Sequence, residues 1–210
     1  MRNSLVFASA LLSMSLVACS DDGIDSNEEA RRTYLGLDTS ISKSLQLGFD
    51  GYNSASSANI APQTTTGDAT GDLTVTGQVA QGSSDNHEMR LYIGMVDYSE
   101  GPFTVIVNEG TDDEEEVDVD LTYNTSEVQL DQPYLHLSLR NVPDGDFTGE
   151  LTGTYSATGD IEADVTLNLT LSGTLEAGTD GVSTVRTIGG TTVTGTATSG
   201  DGVYDVNVTL

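Results

Sequence analysis

One cysteine, one lysine and no tryptophan stand in a chain of 210 residues. A single thiol, Cys19, excludes an intrachain disulfide framework and a thiolate metal cluster. Basic residues are scarce throughout: 7 Lys and Arg face 33 Asp and Glu, for a formal net charge of −26. Such a surface repels phosphate backbones and anionic head groups, so nucleic acid is excluded as a partner. Only two histidines occur, His87 and His136. Neither belongs to a paired-histidine motif, a serine elbow or a phosphate loop, so no catalytic constellation is legible and an enzyme is not expected. Aromatics make up 6% of the chain, too few for the two interfacial girdles of a transmembrane β-barrel. Long apolar runs are missing as well. The only extended one, Leu5 to Val17, falls short of the roughly 20 residues that cross a bilayer and has the length of a signal-peptide core.

What stands around that run is informative. Arg2 precedes it, and Leu16-Val17-Ala18-Cys19 closes it. This arrangement resembles the lipobox of bacterial lipoprotein precursors. The resemblance implies that the Cys19 thiol takes a diacylglycerol, that signal peptidase II cuts before it and that the new amino terminus is acylated. Each buried methylene contributes about 0.8 kcal/mol, so two or three acyl chains hold stably where one does not. Ser20 is not the aspartate that retains enteric lipoproteins in the inner membrane, which implies the outer membrane. The order Cys19-Ser20-Asp21-Asp22 also resembles the acidic export signal of surface lipoproteins in the Bacteroidetes. The expected organisation is a signal peptide at 1–18, an acylated Cys19 with a disordered acidic tether over 19–33, and a β-rich domain at 34–210. No cofactor is expected beyond the covalent lipid, and the expected partner is the membrane that holds it.

From Asp38 the pattern becomes helical. Ile41, Leu45, Gly48, Phe49, Tyr52 and Ala55 recur on one face, and Asp38 or Thr39 can cap the first turn of a short helix near 39–56. Gly48 and Gly51 weaken it by nearly 1 kcal/mol each, yet let it approach a flat surface closely. Beyond residue 70 the period is two nearly everywhere. Residues 89–98 (MRLYIGMVDY) read as apolar on both faces, as a central or helix-covered strand does. Over 147–171, Phe147, Leu151, Tyr155, Ile161, Val165, Leu167, Leu169 and Leu171 oppose a face of Thr, Glu, Asp and Asn. A three-residue loop, Thr158-Gly159-Asp160, keeps the faces in phase, pairing Tyr155 with Ala163, Gly153 with Val165 and Gly149 with Leu169. A loop at Ser199-Gly200-Asp201-Gly202 likewise sets Ala197 opposite Tyr204 and Gly195 opposite Val206. Between these hairpins the apolar phase shifts from even (Val182, Ile188) to odd (Val193), and one unpaired residue at Gly189-Gly190 forms a β-bulge.

About ten strands with short loops make an all-β fold, a single antiparallel sandwich or an up-and-down barrel. The segment ELTGTYSATG is similar to a hairpin of the avidin family, but no tryptophan stands where a biotin pocket needs one, and nothing is carried over. Asp112, Asp113, Glu114, Glu115 and Glu116 concentrate hard oxygen ligands in one hairpin loop and are weak calcium candidates, without EF-hand spacing. The functional expectation is a membrane-anchored envelope lipoprotein with a non-catalytic structural or binding β-domain. The alternatives are a carrier holding a small apolar ligand inside a barrel, and a small transmembrane barrel.

Overall fold

The computed structural model describes residues 26–210. Two helices lead the chain, α1 (Ser26–Leu35) and α2 (Asp38–Ser54). Strands β1 (Gln63–Thr66), β2 (Thr70–Ala80), β3 (His87–Ser99), β4 (Phe103–Val107), β5 (Glu115–Val119) and β6 (Leu121–Asn124) follow. After a 3-10 turn at Gln129–Asp131 come β7 (Tyr134–Arg140), β8 (Asp146–Gly159), β9 (Ala163–Ala177), β10 (Thr184–Ser199) and β11 (Gly202–Thr209). The fold is all-β and antiparallel, as the alternation of the sequence requires. One nine-stranded sheet runs β1-β2-β3-β6-β8-β9-β10-β11, with β7 inserted between β3 and β8. Strands β4 and β5 form a separate two-stranded hairpin.

The sheet is strongly curled, and α2 shows why. This helix touches β1, β2 and β3 on one side and β10 on the other. Strands β2 and β10 are five intervals apart by way of β7, or about 24 Å at roughly 4.8 Å each if the sheet were flat. A helix about 10–12 Å across reaches both only if the sheet wraps it. Its apolar stripe, Ile41, Leu45, Phe49 and Tyr52, is buried among the inward residues of the strands, including Leu91, Leu137, Leu151 and Leu169. Phe49 meets Phe147 of β8 edge-on, with centroids 5.9 Å apart and planes at 71°. The two helical glycines serve as expected: a Cβ at Gly48 would stand 2.8 Å from Leu91 Cδ1, and one at Gly51 2.8 Å from Ile60 Cδ1. The helix occupies Asp38–Ser54 without a side-chain cap at its start. Asp38 instead accepts a hydrogen bond from the Tyr34 hydroxyl at 2.7 Å.

Several expectations are corrected. Residues 26–33 are not a disordered tether but most of α1. Charge counting missed that Glu28 pairs with Arg31 (3.0 Å) and Arg32 (2.9 Å), and that Ala30 and Tyr34 form a fully buried face against β10 and β11. Residues 89–98 are not apolar on both faces. Met89, Leu91, Ile93 and Met95 point inward, while Arg90 and Val96 are exposed and Tyr92 is half-buried on the outside. At Asp97 (φ 49°) the phase slips, and Tyr98 turns into the core.

The β8–β9 hairpin keeps the expected face but moves by two residues. Tyr155 pairs with Val165, Gly153 with Leu167 and Gly149 with Leu171. The loop is longer because Thr158 and Gly159 stay extended to pair with Thr122 and Leu121 of β6 on the other edge. At the carboxyl hairpin Ala197 does face Tyr204, and Gly195 faces Val206. The bulge in β10 is real but larger than one residue. Arg186 pairs with Leu175 and Thr191 with Gly173, so four residues of β10 oppose one of β9. The surplus is three, an odd number, and the phase flips as expected. The inward residues before the bulge, however, are Thr184 and Arg186, whereas Val182 and Ile188 are 82% and 89% exposed.

Candidate binding groove

The residues singled out from the sequence do not come together. Cys19 lies outside the described residues. Asp112 to Glu116 lie exposed at the tip of the β4–β5 hairpin. Glu114 accepts the Gly110 backbone N–H at 2.9 Å, and Glu115 and Glu116, being adjacent in a strand, turn to opposite faces. Among the described residues no three Asp, Glu, His or Cys side chains are grouped to hold a metal ion. His87 starts β3 with Nδ1 against the Tyr52 hydroxyl at the end of α2. His136 lies on the outer face of β7.

The chemistry that does converge was not anticipated. On the outer face of the sheet, β2, β3 and β7 bring Thr76, Tyr92 and Tyr134 into one row, and Gln78, Arg90 and His136 into the next. Elsewhere the outer face of β8 and β9 is Thr, Ser, Asn, Asp and Glu. Here two phenol rings stand 5.3 Å apart at 49°, and the His136 ring lies nearly parallel to Tyr134 at 6.3 Å. The 59–62 segment forms one wall and the 3-10 turn the other. Together they enclose a groove of about 510 Å³ lined by Asn59, Ile60, Pro62, Gln129 and Leu130 over a floor of Thr76, Arg90, Tyr92 and Tyr134. This is within the ~300–1,000 Å³ in which small-ligand clefts fall.

The walls are fixed by the groups that line them. Gln78 Nε2 donates to Asn59 Oδ1 at 3.0 Å, and Asn59 bridges to Gln78 through the backbone. Gln129 Nε2 donates to Thr76 Oγ1 at 2.7 Å. Each donor amide commits one N–H, and among the described residues its carbonyl oxygen has no hydrogen-bond partner. Arg90 donates to Glu88 at 2.8 Å, an exposed pair that holds Glu88 below the ordinary carboxylate range. The floor thus carries a guanidinium whose charge is matched alongside it. Burial raises the Tyr134 phenol above its ordinary value, so it stays protonated and can donate.

Sequence reasoning missed this site because β3 and β7 are separated by β4, β5, β6 and the 3-10 turn. The available signal was parity: Arg90 with Tyr92, and Tyr134 with His136, each share a face opposite to buried Leu or Met. No model of a known protein family, no curated protein and no solved structure matches the chain.

Proposed function

We propose that this chain is a lipid-anchored, non-catalytic binding module of the bacterial outer-membrane envelope, with the β2–β3–β7 groove as its binding face. The observation that carries the binding reading is the pair of outward tyrosines between two hydrogen-bonded walls, on a sheet whose inner face is filled. The carrier alternative is disfavoured because the space a carried ligand would need is taken by Ile41, Leu45 and Phe49 of α2. The anchor reading rests on the lipobox at Cys19.

The geometry accommodates such an anchor. Ser26 abuts the β10–β11 turn, where its backbone packs against Gly202. Six residues lie between it and Cys19, seven steps along the chain that reach at most about 25 Å at 3.3–3.6 Å each. The β4–β5 hairpin with its acidic tip is on the same end, since Arg31 of α1 donates to Ile106 O at 3.2 Å. Anionic head groups repel that end across a Debye length of about 8 Å, so the domain stands off the bilayer.

The test is detergent phase partition in a host with signal peptidase II. The full chain is cut before Cys19, incorporates labelled palmitate and enters the detergent phase, whereas Cys19→Ser stays uncut and unlabelled and a chain of residues 26–210 remains aqueous and folded. A Cys19→Ser chain that is still cut at this position and still takes up palmitate overturns the anchor. A 26–210 chain that refolds only in detergent restores the transmembrane barrel.

A further inference from the structure

We infer that the groove takes a neutral glycan, an uncharged stretch of hexopyranose or pentopyranose units; this rests on the binding-module reading above. A pyranose ring is amphiphilic. Its axial C–H face is apolar and electropositive, which suits the negative face of a phenol ring, and its rim of hydroxyls both donates and accepts. A site for it therefore needs ring faces on the floor and amide or guanidinium groups at the sides. Tyr92 and Tyr134 supply the faces on adjacent strands, 5.3 Å apart. Gln78 and Gln129 supply carbonyl oxygens that make no hydrogen bond among the described residues, and Arg90 supplies planar donors.

Charge separates this occupant from the others. The chain carries −26 overall, and Arg90, the one cation lining the groove among the described residues, is matched by Glu88 at 2.8 Å. Nothing in the groove attracts an anion, while the surface around it repels one. A uronate chain, a nucleotide or an anionic head group is therefore disfavoured, and a neutral ligand meets no such penalty. A lipid tail is disfavoured differently, because the floor and walls offer hydroxyls and amides in place of a deep apolar cavity. An extended peptide gains most from a free strand edge, and the groove floor lies on β2, β3 and β7, which are paired on both sides.

The experiment is isothermal titration of the full-length protein with cellohexaose, maltohexaose, mannohexaose and xylohexaose. Hexagalacturonate is the anionic arm, and a pool of random uncharged hexapeptides is the peptide arm. At least one neutral hexasaccharide binds, and Tyr92→Ala and Tyr134→Ala each weaken that binding at least tenfold. Thr154→Ala, on the same outer face at β8, leaves it within twofold. Circular dichroism and an unchanged melting temperature show that the tyrosine variants are folded, which their partial exposure favours. Absence of binding by all four neutral sugars overturns the inference, as does equal or tighter binding of hexagalacturonate. Glycan binding that ignores both tyrosine substitutions overturns the assignment to this groove. Binding confined to the peptide pool, and lost in Tyr92→Ala, overturns the glycan while leaving the binding-module reading in place.

Discussion

Replacing the two phenylalanines that join α2 to the sheet tests whether the helix fills the curl. Phe49 is 1% exposed and Phe147 fully buried, and their rings meet edge-on at 5.9 Å. Truncating either to Ala removes a ring from a closed core and costs about 3–5 kcal/mol. Against a total stability of about 5–15 kcal/mol, the double Ala variant, at about 6–10 kcal/mol, removes a large share or all of it. Leucine is the milder probe. Phe49→Leu and Phe147→Leu keep the sites apolar and each cost roughly 1 kcal/mol from imperfect fit, or about 2–4 °C in Tm for a domain of this size. Each single substitution also forfeits the ring–ring term, about 0.5–1.5 kcal/mol beyond the area buried. The double variant forfeits that term only once. Its loss of stability should therefore fall short of the sum of the singles by about 0.5–1.5 kcal/mol, read from urea midpoints at constant slope. Additivity within about 0.3 kcal/mol would mean that the rings do not touch. The filled interior, and with it the argument against a carrier, would then be wrong.

Three further outcomes follow from the geometry. Thr154 and Thr166 face one another across β8 and β9 with hydroxyls 2.8 Å apart, so Thr154→Cys with Thr166→Cys should oxidise readily. Thr154→Cys with Asp164→Cys, the pair expected from a three-residue loop, should not, and non-reducing mass spectrometry separates the two registers. Burial raises the Asp38 carboxyl above its ordinary value, an effect the Tyr34 hydrogen bond only partly offsets. The folded state therefore binds the proton more tightly than the unfolded one, and this group's contribution declines as pH rises above about 4. The stability of Asp38→Asn relative to the parent should thus increase with pH from about 4 until the folded-state pKa is passed; a flat or falling difference refutes the assignment. Finally, 33 acids against 7 basic residues oppose compaction until screened. Tm should rise between 0.1 and 1 M NaCl as the Debye length falls from about 10 to 3 Å, and a falling Tm would show that attractive ion pairs dominate.

The parts of the fold legible in the sequence are those decided by neighbours in the chain. The stripe from Ile41 to Tyr52 specifies α2, and the phase of Ala197 and Tyr204 specifies the last hairpin, because each argument needs only one element or one turn. Where a third element intervenes, the local argument falls short. Thr158 and Gly159 look like a turn until β6 is present to pair with them. Val182 and Ile188 look like core residues, yet the inward positions go to Thr184 and Arg186, where Asn53 and Ser42 of α2 supply polar partners. The groove was the least accessible feature. Tyr92 and Tyr134 are 42 positions apart in the sequence, and only the β3–β7 pairing brings them together.

The way α2 is held has a consequence for the order of folding. Asn53 exchanges two hydrogen bonds with the backbone of Thr184, 131 residues later, at 2.8 and 2.9 Å. In α1, Glu29 is held by Ser199, 170 residues on, and Asn27 by Val203, 176 residues on. Closing a loop of that length costs roughly 4 kcal/mol in chain entropy beyond the constant for any closure. It also places this topology among those with high contact order, which fold slowly. At about 5–20 residues per second of synthesis, roughly 7–26 s pass between the emergence of Asn53 and that of Thr184. During that interval the helices lack the strands that clasp them. The segment made first is the last to be secured.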